Sequence, residues 1–435
     1  MANENIWSKG NTVNDWMIRF TVGEDWRWDT ILLPYDLKGT RGHAIGLAQI
    51  GVLTEVELVD IQLALDELDA MAETLHVLPE DEDCHTVIER LLIQKLGDLG
   101  KKIHTGRSRN DQVLTALRLY LKEALYHVME ETHTLIHAFV ALGTENAEVL
   151  MPGYTHYQRA MPSSVGLWAM GYAEVLTMDL RVLKGAYEVV NISPMGSAAG
   201  YGVPFLTLPR REVAAVLGFA EVQLHVTAAQ LSRGKMEMNV VQALAQVGAS
   251  INRAAADLVL MNSAEFDAVK LPPEYCTGSS IMPQKQNPDI LEIARASYHR
   301  LVAELQLLLS LPANLPSGYH RDLQLTKEAV MRAMMVAQDM LTALNLIVPK
   351  LSFNRDFLAA QLSPDLFATA DALERVSQGV PFRDAYRMAA ENLPNLKTPD
   401  LSDILHAYRT PGTLGNLQGH WILAQAQAVM EQINR

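Results

Sequence analysis

Four short polar segments hold the residues whose types and spacing suit chemistry. The first, Lys101-Lys102-Ile103-His104-Thr105-Gly106-Arg107-Ser108-Arg109-Asn110-Asp111-Gln112, places four cations between Lys101 and Arg109 without an acid. With the Thr105 and Ser108 hydroxyls and the free amides of a starting helix, it forms a candidate site for a carboxylate or phosphate. A solvated helix cap is the competing reading. The second, Met151 to Arg159, reads as a turn toward the next helix and sets Thr155 beside His156. His156 is a candidate acid–base group, although a single histidine also serves structure. In the third, Cys276-Thr277-Gly278-Ser279-Ser280-Ile281-Met282-Pro283-Gln284-Lys285-Gln286-Asn287-Pro288-Asp289, small residues precede a helix start, with Asn287 and Pro288 suited to its cap and first position. Such a loop can aim amides and the Lys285 ammonium at developing negative charge; an ordinary surface loop is the alternative. The fourth, Gly318 to Lys327, puts Arg321, Gln324 and Lys327 three apart on one helical face.

Long helices must position these segments. From Asn110 to about residue 142 there is no Pro and no Gly before the last turn, and Val113, Leu117, Leu121, Ala124, Val128, Leu135 and Phe139 recur mostly at helical spacing. Residues 163–190, 226 to about 267, 289–311 and 322 to about 348 read the same way. The expected fold is therefore mostly α, with a central long-helix bundle. Domain limits are expected at 1–108 for an N-terminal helical domain, 109–350 for the bundle and 351–435 for a short C-terminal helical domain. Residues 192–203, with three glycines, suggest a short hairpin or an irregular crossing.

Composition narrows the function. The chain has 435 residues, 49% hydrophobic and 20% charged, which is ordinary for a folded protein. Its 36 basic and 50 acidic residues leave a net charge of −14, which disfavours nucleic acid and anionic membranes as partners. Cys84 and Cys276 are too few for a disulfide framework or a cysteine-ligated metal site. The polar start lacks the apolar stretch of a signal peptide, so a cytoplasmic location is expected. Even residues 301–311 are interrupted by Glu304 and Gln306, so no membrane span is expected. No Walker A or dinucleotide fingerprint occurs. His133 and His137 lack the zincin glutamate and read as helix-face residues. No cofactor and no metal are expected.

Gly278 to Pro288 resembles the signature of the fumarase and aspartase superfamily. Residues His104 to Gln112 and Gly153-Tyr154-Thr155-His156 resemble, within it, the argininosuccinate lyase and delta-crystallin family. Further similarity lies in Glu82-Asp83-Cys84-His85-Thr86, Ser363-Pro364-Asp365 and Gly379-Val380-Pro381-Phe382-Arg383, so the resemblance covers about residues 35–390. It implies a homotetramer with a shared helical core, and active sites each drawn from three subunits. The implied reaction is reversible cleavage of argininosuccinate to arginine and fumarate through an aci-carboxylate, without a cofactor. Residue by residue, it makes Ser279 the general base, His156 a proton-transfer or binding group, Glu292 its orienting carboxylate, and Lys285 and Asn287 stabilisers of the intermediate. Ser108, Asn110 and Thr155 match carboxylate-contacting positions, Arg109 is expected to bind substrate beside them, and Tyr319, Gln324 and Lys327 match positions for the arginine side. Arg233 resembles another binding arginine, but the acids that usually flank it are replaced. Two further departures stand out. The family's opening is reduced to Trp7-Ser8-Lys9-Gly10, and Asp25 falls in the region where a substrate-contacting serine is usual. The alternatives are adenylosuccinate lyase or another amino-acid-succinate lyase, and, in a different class, a non-catalytic crystallin-like scaffold.

Overall fold

The structure is a computed structural model that describes residues 14–433; Trp7-Ser8-Lys9-Gly10 lies outside them. Seven helices position the site: α1 (Asp25–Gln49), α2 (Cys84–Leu96), α3 (Arg109–Glu145), α4 (Val165–Val190), α5 (Lys235–Met261), α6 (Asp289–Ser310) and α7 (Leu325–Ile347). Helices α3 to α7 pack side by side as a bundle, and α1 lies against α3. The fold is the expected mostly α, long-helix bundle.

Local chemistry sets the helix limits. Helix α3 begins where Ser108 takes extended backbone and its hydroxyl accepts the Asn110 N–H, while the Asp111 carboxylate accepts the Ser108 N–H at 2.9 Å. Its stripe of Leu117, Leu121, Ala124, Val128, Leu135 and Phe139 is buried as its spacing required. Helix α4 is capped by the Ser164 hydroxyl, which accepts the Leu167 N–H at 3.0 Å.

The ends of α3 and α4 meet at Gly143 and Gly166. A Cβ on Gly166 would lie 2.7 Å from the Ala147 Cα and 2.8 Å from the Gly143 carbonyl oxygen. Because both obstacles are backbone, Gly166→Ala is expected to cost about 1–3 kcal/mol, read as a lower urea midpoint. An unchanged midpoint would mean that the helix start shifts freely.

The structure departs from the sequence expectations in three places. The helix expected from 226 to about 267 is broken into Val226–Leu231 and α5. Gly234, between them, adopts φ +76°, a conformation that ends a helix and strains any residue with a Cβ. The expected turn at Met151 to Arg159 is the tip of a β-hairpin, β1 (Leu150–Thr155) against β2 (Gln158–Ser164). Finally, residues 192–203 do not form a hairpin: Ile192–Ser193 pairs in parallel with Glu221–Val222. The following amides of Gly196 and Ala198 donate to the Asp111 carboxylate, which accounts for that irregular crossing.

Among the described residues one helical stretch, Arg321–Lys350, is long and apolar enough to cross a membrane. It contains α7, and 56% of its most apolar window is buried in the bundle, the position of a core helix.

Candidate active site

A cavity of about 480 Å³ opens where the start of α1, the segment entering α2, the start of α3, the break before α5 and the approach to α7 converge. That volume suits a small organic ligand. Seven expected site residues line it: Ser108, Arg109, Asn110, Arg233, Tyr319, Gln324 and Lys327. They are drawn from positions more than 200 residues apart, so the fold gathers two of the four polar segments, with Arg233 from outside all four, into one wall.

The helix break creates the most telling group. By interrupting helix geometry at Gly234, it delivers Arg233 to the cavity, where its guanidinium lies 4.6 Å from the Tyr319 ring centroid. Its Nη1 donates to the Asn110 Oδ1 at 3.4 Å. Arg233 is 7% exposed, and its Nε has no hydrogen-bond partner among the described residues. Burial lowers its pKa, a sign that the charge is held under desolvation. A buried, incompletely partnered guanidinium facing a cavity is suited to a carboxylate.

Lys327 is held differently. Its Nζ lies 2.6 Å from Asp29 and 2.9 Å from Asp25, both from the start of α1. Burial opposes the ammonium, but Asp29 and Asp25 outweigh it and raise the Lys327 pKa. Asp25 and Asp29, four apart on one helix face, would repel each other without a cation between them. Burial carries Asp25 up to about 6 despite the pull of Lys327, with Asp29 and Asp83 adding to the rise.

The other lining residues are engaged by the protein. The Arg109 guanidinium donates to Thr86 Oγ1 at 2.7 Å and pairs with Glu82 and Asp83 at 3.2 Å, anchoring the segment before α2. The Gln324 amide donates to the Thr21 carbonyl oxygen at 3.1 Å, and Ser108 caps α3.

Sequence reasoning did not assign His85, Asp36 or Glu237. His85 lines the cavity; its Nδ1 is 2.8 Å from the buried Asp36 carboxylate and its Nε2 has no partner among the described residues. Burial lowers the imidazole pKa, but Asp36 more than reverses this and brings it to about 9. Folding therefore favours the imidazolium over the unfolded value of 6.5. That contribution is complete below about pH 6.5 and is lost as pH rises through about 9. Stability is expected to fall across this window by up to about 3 kcal/mol, seen as a declining thermal midpoint whose slope His85→Asn removes. A midpoint that declines equally in the variant would refute the assignment. Asp36, Cys84 and His85 place three possible ligand atoms within 4.8 Å, but the carboxylate and Nδ1 already bind each other. The Glu82 to Thr86 segment was the available sequence signal for His85. For Glu237, a fully buried residue of the cavity lining with its Oε2 unpartnered among the described residues, there was none.

Six expected residues lie elsewhere. Thr155 and His156 are exposed at the hairpin tip, where His156 and Tyr157 have φ +54° and +58°. A two-residue turn of this kind favours Asn-Gly, so the presence of His156 and Tyr157 there places backbone strain at a candidate chemical group. Ser279 sits in an open loop whose base is closed by reciprocal backbone hydrogen bonds between Thr277 and Asn287, 2.8 and 3.1 Å long. The Ser279 Oγ accepts the Met282 N–H at 3.2 Å and the Ile281 N–H at 3.4 Å. Lys285 and Glu292 are exposed. Asn287 does not cap α6, whose cap is Pro288; its amide donates instead to the Gly278 carbonyl oxygen at 3.3 Å. None of these six lines the cavity within one chain.

Residues 19–302 match the lyase family. The chain is 44% identical over 414 residues to the argininosuccinate lyase of Sorangium cellulosum, covering 95% of this chain and 96% of that one. It is 41% identical to that of Thermotoga neapolitana, covering 89% and 98%. Among solved structures it resembles EDDS lyase in complex with formate, with a TM-score of 0.76, 22% identity and coverage of 95% and 90%. It also resembles the class II fumarase of Schistosoma mansoni, with a TM-score of 0.74, 14% identity and coverage of 96% and 95%. These two likenesses concern the fold. A bundle of this topology, carrying the Ser279 loop and the cavity at Arg233, and relatives this similar over nearly the whole chain, identify the protein as a member of the lyase family, in its argininosuccinate lyase branch.

Proposed function

We propose that the protein is a carbon–nitrogen lyase that cleaves argininosuccinate reversibly to arginine and fumarate. The observation that carries this reading is the cavity holding a buried, incompletely partnered Arg233 beside Asn110, Tyr319, Gln324 and Lys327. Ser279 removes the Cβ proton of the succinate moiety. A serine is a weak base, and the two amides already directed at its oxygen would stabilise the alkoxide. Lys285, Asn287 and the loop amides then hold the doubly charged aci-carboxylate, whose collapse forms the carbon–carbon double bond of fumarate as the C–N bond breaks and its electron pair leaves on the guanidino nitrogen of arginine. Ser108, Asn110 and Thr155 bind carboxylates, while Tyr319, Gln324, Lys327 and Arg233 bind the arginine side. Arg109 acts by anchoring the cavity wall. His156, oriented by Glu292, assists proton transfer or binds substrate.

This chemistry requires more than one chain. Ser279, Lys285, Asn287, Thr155 and His156 do not line the cavity of their own chain, and a homotetramer would supply them from neighbours. On α4, Val175, Met178, Val182 and Val189 form an exposed apolar stripe at helical spacing, as a helix that packs on a partner would. The three-part division at 108 and 350, a cytoplasmic location, and the lack of nucleic-acid or membrane partners belong to the same proposal.

The test is ultraviolet detection of fumarate from purified protein given argininosuccinate or, separately, adenylosuccinate. Fumarate from argininosuccinate alone supports the reading. Fumarate from adenylosuccinate, or from neither, overturns it.

A further inference from the structure

Asp25 is the second of two carboxylates paired with a single ammonium. Lys327 is already paired with Asp29 at 2.6 Å, and Asp29 is the more deeply buried of the two acids, with a side chain 1% exposed against 17% for Asp25. One ammonium faces two carboxylates, so this corner of the cavity carries one negative charge in excess. Asp25 keeps its remaining exposure toward the cavity that it lines. Across the same cavity, Arg233 carries a positive charge with an unpartnered Nε, and it is close enough to Asp25 for the two charges to interact. An anionic group and a cationic group facing one small space, each incompletely neutralised, match the ammonium and carboxylate of a free α-amino-acid head.

We infer that Asp25 is a specificity-determining residue: its carboxylate receives the free α-ammonium of the substrate's amino-acid arm while Arg233 receives the adjoining carboxylate. This rests on the argininosuccinate reading above, which supplies the arm. The consequence is discrimination. An Nα-acylated arm has lost the charge and two of three donors, and would bury Asp25 against a neutral amide, an uncompensated carboxylate in a desolvated site. Burial is the main cause that raises the Asp25 pKa to about 6, and the neighbouring Asp29 and Asp83 carboxylates add to it. The charged groups that act on it are Lys327, Asp29 and Asp83, with Arg233 across the cavity, and of the two cations only Lys327 is in direct contact with it.

Calorimetric binding of arginine and of Nα-acetylarginine to the full-length wild type and to Asp25→Asn tests this without turnover. Wild type is expected to prefer arginine by at least about 10-fold, the scale of a charge-assisted hydrogen bond. Asp25→Asn is expected to bring the ratio within about 3-fold by weakening arginine, and Asp25→Glu to restore part of it. The preference should also fade below about pH 6, as Asp25 takes up a proton. Equal binding of both ligands by wild type, or an unchanged preference in folded Asp25→Asn, overturns the inference. Fumarate release from argininosuccinate reports separately on the reading beneath it: a protein that prefers arginine through Asp25 but releases no fumarate keeps the specificity and loses the reaction.

Discussion

Replacing Ser279 by alanine is expected to lower kcat for argininosuccinate cleavage by about 10²–10⁴-fold, the usual contribution of a positioned acid–base group. KM should change by no more than a few-fold, because the arginine-side residues lie in the cavity and not on the loop. The fold should be unaffected. Ser279 belongs to an open loop, and the loop's closure depends on Thr277 and Asn287, which exchange backbone hydrogen bonds without it. What the substitution removes is the oxygen that receives the Met282 and Ile281 amides. Those amides then face water, and no group is left to take the Cβ proton. Fumarate release by wild type and variant, with circular dichroism and light scattering on the same samples, decides the matter. A variant with intact assembly and more than a tenth of normal turnover would sink the assignment of Ser279 as base.

The largest stability effect is expected at Lys327. The Lys327→Met substitution should destabilise the protein by about 3–5 kcal/mol, the range for removing one partner from a buried ion pair. The ammonium is 6% exposed and sits at the start of α7, where the helix dipole disfavours a cation, so Asp29 and Asp25 are what hold it there. Without it, two carboxylates one helical turn apart on α1 are left buried and facing each other. Adding Asp25→Asn and Asp29→Asn to Lys327→Met should recover most of the loss, since the charges are then removed together. Urea denaturation of the single and triple variants measures both steps. A Lys327→Met protein as stable as wild type would mean that water already reaches the cluster.

The long helices were legible in the chain because their cause is local. Ser108 and Asp111 cap α3 within four residues, and the stripe from Leu117 to Phe139 repeats at the period of the helix it forms. The β-hairpin escaped because its turn uses His156 and Tyr157 at positive φ, where Asn-Gly would have announced it. The break at Gly234 escaped because a single glycine in an apolar periodic stretch is compatible with an unbroken helix. The 3.2 Å approach of Pro312 to a Cβ at that position comes from far along the chain.

The same division runs through the site. The residue types that carry chemistry, namely Ser279 in its small-residue loop, His156 beside Thr155 and the cations before Asn110, could be read directly, because a polar, glycine-bearing segment between apolar helices is visible without knowing what it touches. What each side chain is free to do depended on partners hundreds of residues away. Lys327 meets Asp25 and Asp29, Arg109 is taken up by Glu82, Asp83 and Thr86, and Arg233 is left with an unpartnered Nε over Tyr319. Helix limits follow from interactions within a few residues, so sequence alone determines most of them; charge compensation acts through space in a desolvated cavity, so only the tertiary structure decides which cation is neutralised and which is available to a substrate.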